Sequence, residues 1–115
     1  MKRLAKKLCA ALSVLLLLIP AALADEAVPA LLYMGQASIR IVTAEGKVIY
    51  IDPYAWDQYD LPADLILVTH GHFDHCAIGK VTNRNEDCQI ITHKEAVIDG
   101  VHQVFDFPYV RVESV

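Results

Sequence analysis

"LILVTHGHFDHCAIG", residues 65–79, sets three histidines and an aspartate within six positions at the end of an apolar run. With Asp64 before it, "DLILV" (64–68) is short and continuously apolar, the pattern of a strand buried on both faces. His70 follows at the strand's end, and His72 lies two residues on, past Gly71. Extended chain points positions i and i+2 the same way, so two imidazoles converge on one volume. Gly71 and the following turn let Asp74 and His75 face that volume too. Three imidazoles and a carboxylate suit Zn²⁺, and also Mn²⁺ or Fe. Asp74 and His75 project in different directions, so one cluster can feed two ions, His70 and His72 on one and Asp74 and His75 on the other. Two ions about 3.5–4 Å apart can share a hydroxide nucleophile and polarise a substrate oxygen. The competing reading is a surface loop that happens to be histidine-rich, and the position after a buried strand argues against it.

Working outward, "SIRIVTA" (38–44) alternates with period 2, "AEGK" supplies a turn, and "VIYID" (48–52) is rich in β-branched and aromatic residues. Together they predict a hairpin that ends at Asp52-Pro53, because proline cannot donate to a ladder. "PYAWDQYDLPA" (53–63) reads as a loop carrying Tyr54, Trp56 and Tyr59, which either line a substrate mouth or pack. The acidic run 57–64 reads as a solvated face. A weak helical or turn segment is expected over Cys76 to Asn85, then a strand at "CQIIT" (88–92). Thr92 and Glu95 fit a capping box, opening a helix that closes at Gly100. "YVRVESV" (109–115) alternates again.

The first 24 residues have a different character. Lys2, Arg3, Lys6 and Lys7 precede a mostly apolar stretch from Leu8 to Ile19, then Pro20 and Ala22-Leu23-Ala24. A basic head, about a dozen apolar residues and an A-x-A site describe a secretory signal peptide, cut after Ala24. The run is shorter than the roughly 20 residues a membrane helix needs, so no stable membrane insertion is expected once it is removed. The product is expected to be periplasmic or secreted. The chain's net charge of −4 hides an acidic remainder over residues 25–115, because the leader holds four of the ten basic residues and none of the acidic ones. Such a chain repels phosphate backbones, which argues against a nucleic-acid partner. Cys76 and Cys88 remain after the leader, open to a disulfide or to two buried thiols.

The motif resembles the H-x-H-x-D-H signature of the metallo-β-lactamase fold superfamily. The approach to it, "YMGQASIRI", "KVIYIDPY" and "ADLILVTHGHFDH", is similar to the N-terminal half of the L-ascorbate 6-phosphate lactonase-like members. The resemblance covers residues 32–115. It implies an α/β fold, an αββα sandwich of which residues 25–115 are about the N-terminal half. It also implies one or two metal ions, zinc first, with hydroxide attacking an ester, a lactone or a related bond of a small-molecule substrate. It matches His70 and His72 to one ion and Asp74 and His75 to the other, with Asp74 also orienting the nucleophile. Asp52 matches a position behind the ligands, where a carboxylate would orient one of them; a strand-ending Asp-Pro turn explains it equally well.

The superfamily draws its remaining ligands from further downstream, a third histidine, a bridging aspartate and a final histidine. His93 and His102 do not match them. His93 reads as the first residue of a capped helix, and His102 as an exposed strand residue. Two functions are therefore expected. One is an exported metal-dependent hydrolase, incomplete at its C-terminus. The other is a non-catalytic fragment with weak metal binding or a pairing role through its open terminal strand.

Overall fold

The computed structural model describes residues 27–115. The expected signal peptide lies outside the described residues. Nine strands carry the fold: β1 (Ala30–Gly35), β2 (Ser38–Val42), β3 (Val48–Ile51), β4 (Ala63–Leu67), β5 (Arg84–Ile91), β6 (Val97–Ile98), β7 (Val101–His102), β8 (Val104–Phe107) and β9 (Val110–Glu113). One four-residue helix, α1 (His93–Ala96), and a 3-10 turn at Ile78–Lys80 complete it. Among the described residues, then, the helical layers of the expected αββα sandwich are barely represented, and no helix is long and apolar enough to cross a membrane.

The first five strands form one sheet in sequence order. β1–β2 and β2–β3 are antiparallel, while β3–β4 and β4–β5 are parallel. The expected hairpin is β2–β3, with Ile39 opposite Ile51 and Val42 opposite Val48. β4 is the buried strand read from "DLILV": Ala63, Asp64, Leu65 and Ile66 are all buried. Alternation across the pleat sorts its neighbours onto two faces. Val48, Tyr50 and Ile66 join Met34, Tyr59 and Val81 on one side, and Ile49, Leu65 and Ile91 face Phe105, Phe107, Tyr109 and Val112 of the β8–β9 hairpin on the other. A strand with apolar cover on both faces has no solvent side, so its sequence shows a run rather than an alternation.

Three local expectations are corrected. The segment over Cys76 to Asn85, expected as weak helix or turn, is loop with a 3-10 turn at Ile78–Lys80, but β5 begins at Arg84 rather than Cys88. A register shift opposite Ala63–Leu65 absorbs the extra residues of β5. The helix opened by Thr92 has its capping box but stops at Ala96, not Gly100. Asp99 and Gly100 both have positive φ, +51° and +75°, which turns Val97–Ile98 back on Val101–His102 as a hairpin. Lastly, Asp64 is no part of a solvated face: it is buried, accepting from Lys47 Nζ (2.9 Å), Val48 N–H (2.8 Å) and Asn85 Nδ2 (2.9 Å). Burial opposes its charge, but the Val48 N–H, Lys47 and Asn85 together outweigh it and hold its carboxyl below the usual carboxylate range.

Candidate metal centre

β3, β4 and β5 run parallel, so their C-terminal ends open at one edge of the sheet, where open α/β sheets place their ligand crevice. β3 delivers Asp52 there, β4 delivers Thr69 and the histidine cluster, and β5 delivers Thr92 and His93. β1 runs the same way as β3, because both are antiparallel to β2, so the β1–β2 turn reaches this edge as well.

Asp52 sits in left-handed backbone, φ +47°, and is buried. Ser38, also buried, holds that geometry: its Oγ donates to the Asp52 carbonyl at 2.7 Å and accepts the N–H groups of Tyr54 and Ala55, each at 3.0 Å. The Asp52 N–H donates to Leu67 O at 2.9 Å. The carboxylate is thereby aimed at the end of β4. Its Oδ1 accepts the Thr69 N–H at 2.7 Å, and its Oδ2 accepts the Thr69 hydroxyl at 2.7 Å and faces His75 Nδ1 at 2.8 Å.

Hydrogen bookkeeping then assigns the ring nitrogens. A carboxylate only accepts, so His75 donates from Nδ1. Thr69 gives its single proton to Asp52, so its oxygen accepts from His70 Nδ1, 3.0 Å away. In the neutral form of each ring, Nε2 is then the nitrogen with the free lone pair. One buried carboxylate thus sets both histidines, His75 directly and His70 through Thr69. The His70 ring centroid lies 3.9 Å from that of His75 and 4.5 Å from that of His72. Asp74 Oδ2 stands 3.9 Å from His75 Nε2 and accepts from Gln36 Nε2 at 2.7 Å.

The four residues read from the motif, together with Asp52, are therefore gathered at one edge. Two imidazoles with their Nδ1 atoms engaged, beside a carboxylate, are a donor set of the right chemistry for a metal ion, with Asp52 as the outer partner that ligating histidines usually have. In number the set falls short: among the described residues, no three His, Cys, Asp or Glu side chains converge to hold one ion.

The other candidates sort differently. His93 is indeed the first helical residue, but its ring also lies over Gly71, where a Cβ would come within 2.9 Å of its Cε1. A residue larger than glycine between His70 and His72 would have to displace that ring. His102 is exposed in β7 and pairs with Ser114 Oγ at 3.2 Å. Both cysteines are free thiols, half-buried, and burial pushes the Cys88 thiol up. Tyr59 belongs to the core, edge-on to Tyr50 at 5.1 Å, whereas Trp56 and Phe73 are exposed. Ser38, Thr69 and Gln36 escaped the sequence reading. Only Thr69, adjacent to His70, lay where local inspection could have found it.

Known proteins share parts of this sequence. A family model described as "Beta-lactamase superfamily domain" matches residues 30–114. A UPF0173 metal-dependent hydrolase of Rubrobacter xylanophilus is 37% identical over 71 residues, 55% of this chain and 29% of the relative. One from Cupriavidus taiwanensis is 45% identical over 67 residues, 45% of this chain and 23% of the relative. A crystal structure of a candidate metal-dependent hydrolase from Parabacteroides distasonis has 27% identity and a TM-score of 0.46, covering 54% of this chain and 30% of that one. The chain spans less than a third of the length of the curated relatives it matches.

Proposed function

The chain belongs to the beta-lactamase superfamily domain family, and from that premise we propose that it carries the first part of a metal-dependent hydrolase site, with His70 and His72 for one zinc ion and Asp74 and His75 for a second. The observation that carries this reading is the Asp52 carboxylate, which bonds His75 directly and His70 through Thr69. A buried acid that engages the Nδ1 atoms of two neighbouring imidazoles, and so turns their Nε2 atoms to the ligand side, suits metal ligation better than it suits a packing role.

When bound, the metal supplies Lewis acidity, polarising the carbonyl of an ester or lactone and making water nucleophilic near neutral pH. The chain's own residues do the rest. Asp52 and Thr69 hold the imidazoles through Nδ1, so that each ring offers its Nε2 to the metal. Asp74 orients the attacking water and accepts its proton. Phe73, exposed beside the cluster and edge-on to Tyr54 at 5.9 Å, gives a small-molecule substrate an apolar wall. The basic-apolar-small order of residues 1–24 supports export to the periplasm or medium, where such a hydrolase would meet its substrate.

A second reading has its own support. Because no three donors converge among the described residues, the chain alone would hold metal weakly and would not turn over. Zinc content of the full chain after dialysis separates the two, measured beside an Asp74→Ala, His75→Ala variant. Close to two ions per chain, reduced in the variant, is the result the hydrolase reading expects, with the ligand set completed from elsewhere, such as a partner chain. Zinc absent from the wild type overturns the hydrolase reading for this chain.

A further inference from the structure

Gln36 sits in the β1–β2 turn with φ +54°, left-handed backbone that residues bearing a Cβ adopt reluctantly. Turns of this kind usually spend glycine or asparagine on such a position. The side chain it presents is exposed, yet it is not free: its Nε2 donates to Asp74 Oδ2 at 2.7 Å, across 38 residues of sequence. The turn is braced on both sides. The Tyr33 hydroxyl donates to the Gln36 carbonyl at 2.9 Å, and Gly35, with φ +108°, lets the chain pass Ala55, whose Cβ lies 3.4 Å from where a Gly35 Cβ would be. Strained backbone held by its surroundings is characteristic of functional sites, and here it aims one amide at one carboxylate.

We infer that Gln36 is a positioning residue for Asp74, fixing the rotation of its carboxylate so that it faces the ion shared with His75. This rests on the metal reading proposed above. The amide is suited to the task because it is neutral. It orients the carboxylate through a hydrogen bond and leaves the full negative charge for a cation, whereas a lysine or arginine at the same place would neutralise that charge and compete with the metal. The bond from Gln36 holds Oδ2 at 3.9 Å from His75 Nε2.

The test strips the full-length chain of metal and titrates it with Zn²⁺ against a chromophoric chelator, with thermal melts of the metal-free protein alongside. Gln36→Gly removes the amide and relieves the backbone. Gln36→Asn keeps an amide and tolerates the left-handed conformation, but it is one methylene too short to reach Asp74. Both are expected to weaken zinc binding about tenfold, the lower end of what outer partners of metal ligands contribute. The metal-free melting temperature of Gln36→Gly should hold or rise, a combination that a merely structural residue would not give. Undiminished zinc affinity in Gln36→Gly, with or without a lower melting temperature, overturns the positioning role. If His75→Ala abolishes zinc uptake while Gln36→Gly does not change it, this role fails and the metal reading stands. If the wild type takes up no zinc, both fall together.

Discussion

Asp52 and Asp64 are two buried carboxylates with separate tasks. Asp52 spends its acceptors on Thr69 and His75 at the sheet's functional edge; Asp64 spends its own on the start of β3 and on β5, through Val48, Lys47 and Asn85. Because Asp64's folded pKa lies below its unfolded one, its charge favours the folded state. That contribution is complete above the unfolded value of about 3.9 and is lost as pH falls through the depressed folded value. We expect Asp64→Asn to be less stable than wild type at pH 7, with the two approaching each other as pH falls through the depressed folded pKa and the wild-type carboxylate protonates. Urea unfolding from pH 7 to pH 2 measures this, and a constant offset at every pH would remove the charge from the account. At this scale the sequence was legible where partners are neighbours. H-x-H-x-D-H could be read because its four residues lie within six positions. Gln36 could not, because its partner lies 38 residues away and nothing in a lone glutamine announces one.

At the scale of elements, the same letters can support two structures. Gly100 after "KEAVID" suits a helix C-cap as well as a hairpin turn, and the structure chose the hairpin. Val97 and Ile98 are β-branched and prefer extended chain, and Asp99 accepts φ +51° more readily than most residues. A Cβ at Gly100 would meet nothing within 4 Å, so any effect of substitution there is a backbone effect. Gly100→Ala is expected to destabilise by about 1 kcal/mol, since φ +75° excludes a comfortable alanine. Gly79→Ala serves as the control: its surroundings are equally open, and its φ is not in the left-handed range, so it should be neutral or slightly stabilising. Equilibrium denaturation compares the two, and equal effects would return Gly100 to the role of an ordinary surface residue. The capping box at Thr92–Glu95, by contrast, was read correctly because each of its bonds closes within three residues.

At the scale of the molecule, β4 is the hinge of the architecture, with β3 and β5 beside it and apolar cover above and below. Leu65 is fully buried on the face shared with Ile49, Ile91 and the β8–β9 hairpin. We expect Leu65→Ala to lose about 2–5 kcal/mol of stability and to lower zinc retention with it, because Thr69 and His70 are placed by the end of this strand. Chemical unfolding with and without Zn²⁺ reads both quantities. Intact zinc binding in a destabilised variant would show that the cluster is organised locally, independent of the sheet.

What the sequence determined by itself was whatever depends on short spacing: the buried strand, the β2–β3 hairpin, the capped start of α1 and the clustering of three imidazoles with a carboxylate. Family membership follows from the same stretches. What only the tertiary structure decided is which distant groups meet. Asp52 and His75 are 23 residues apart, and their 2.8 Å contact follows from β3 and β4 being parallel and in register, which brings both strand ends to one edge. Side-chain periodicity records which face a residue takes; it does not record which strand lies beside it. Pairing between strands is a property of the whole sheet, and so the carboxylate behind the histidines, the threonine between them and the glutamine that holds Asp74 became visible only when the sheet was assembled.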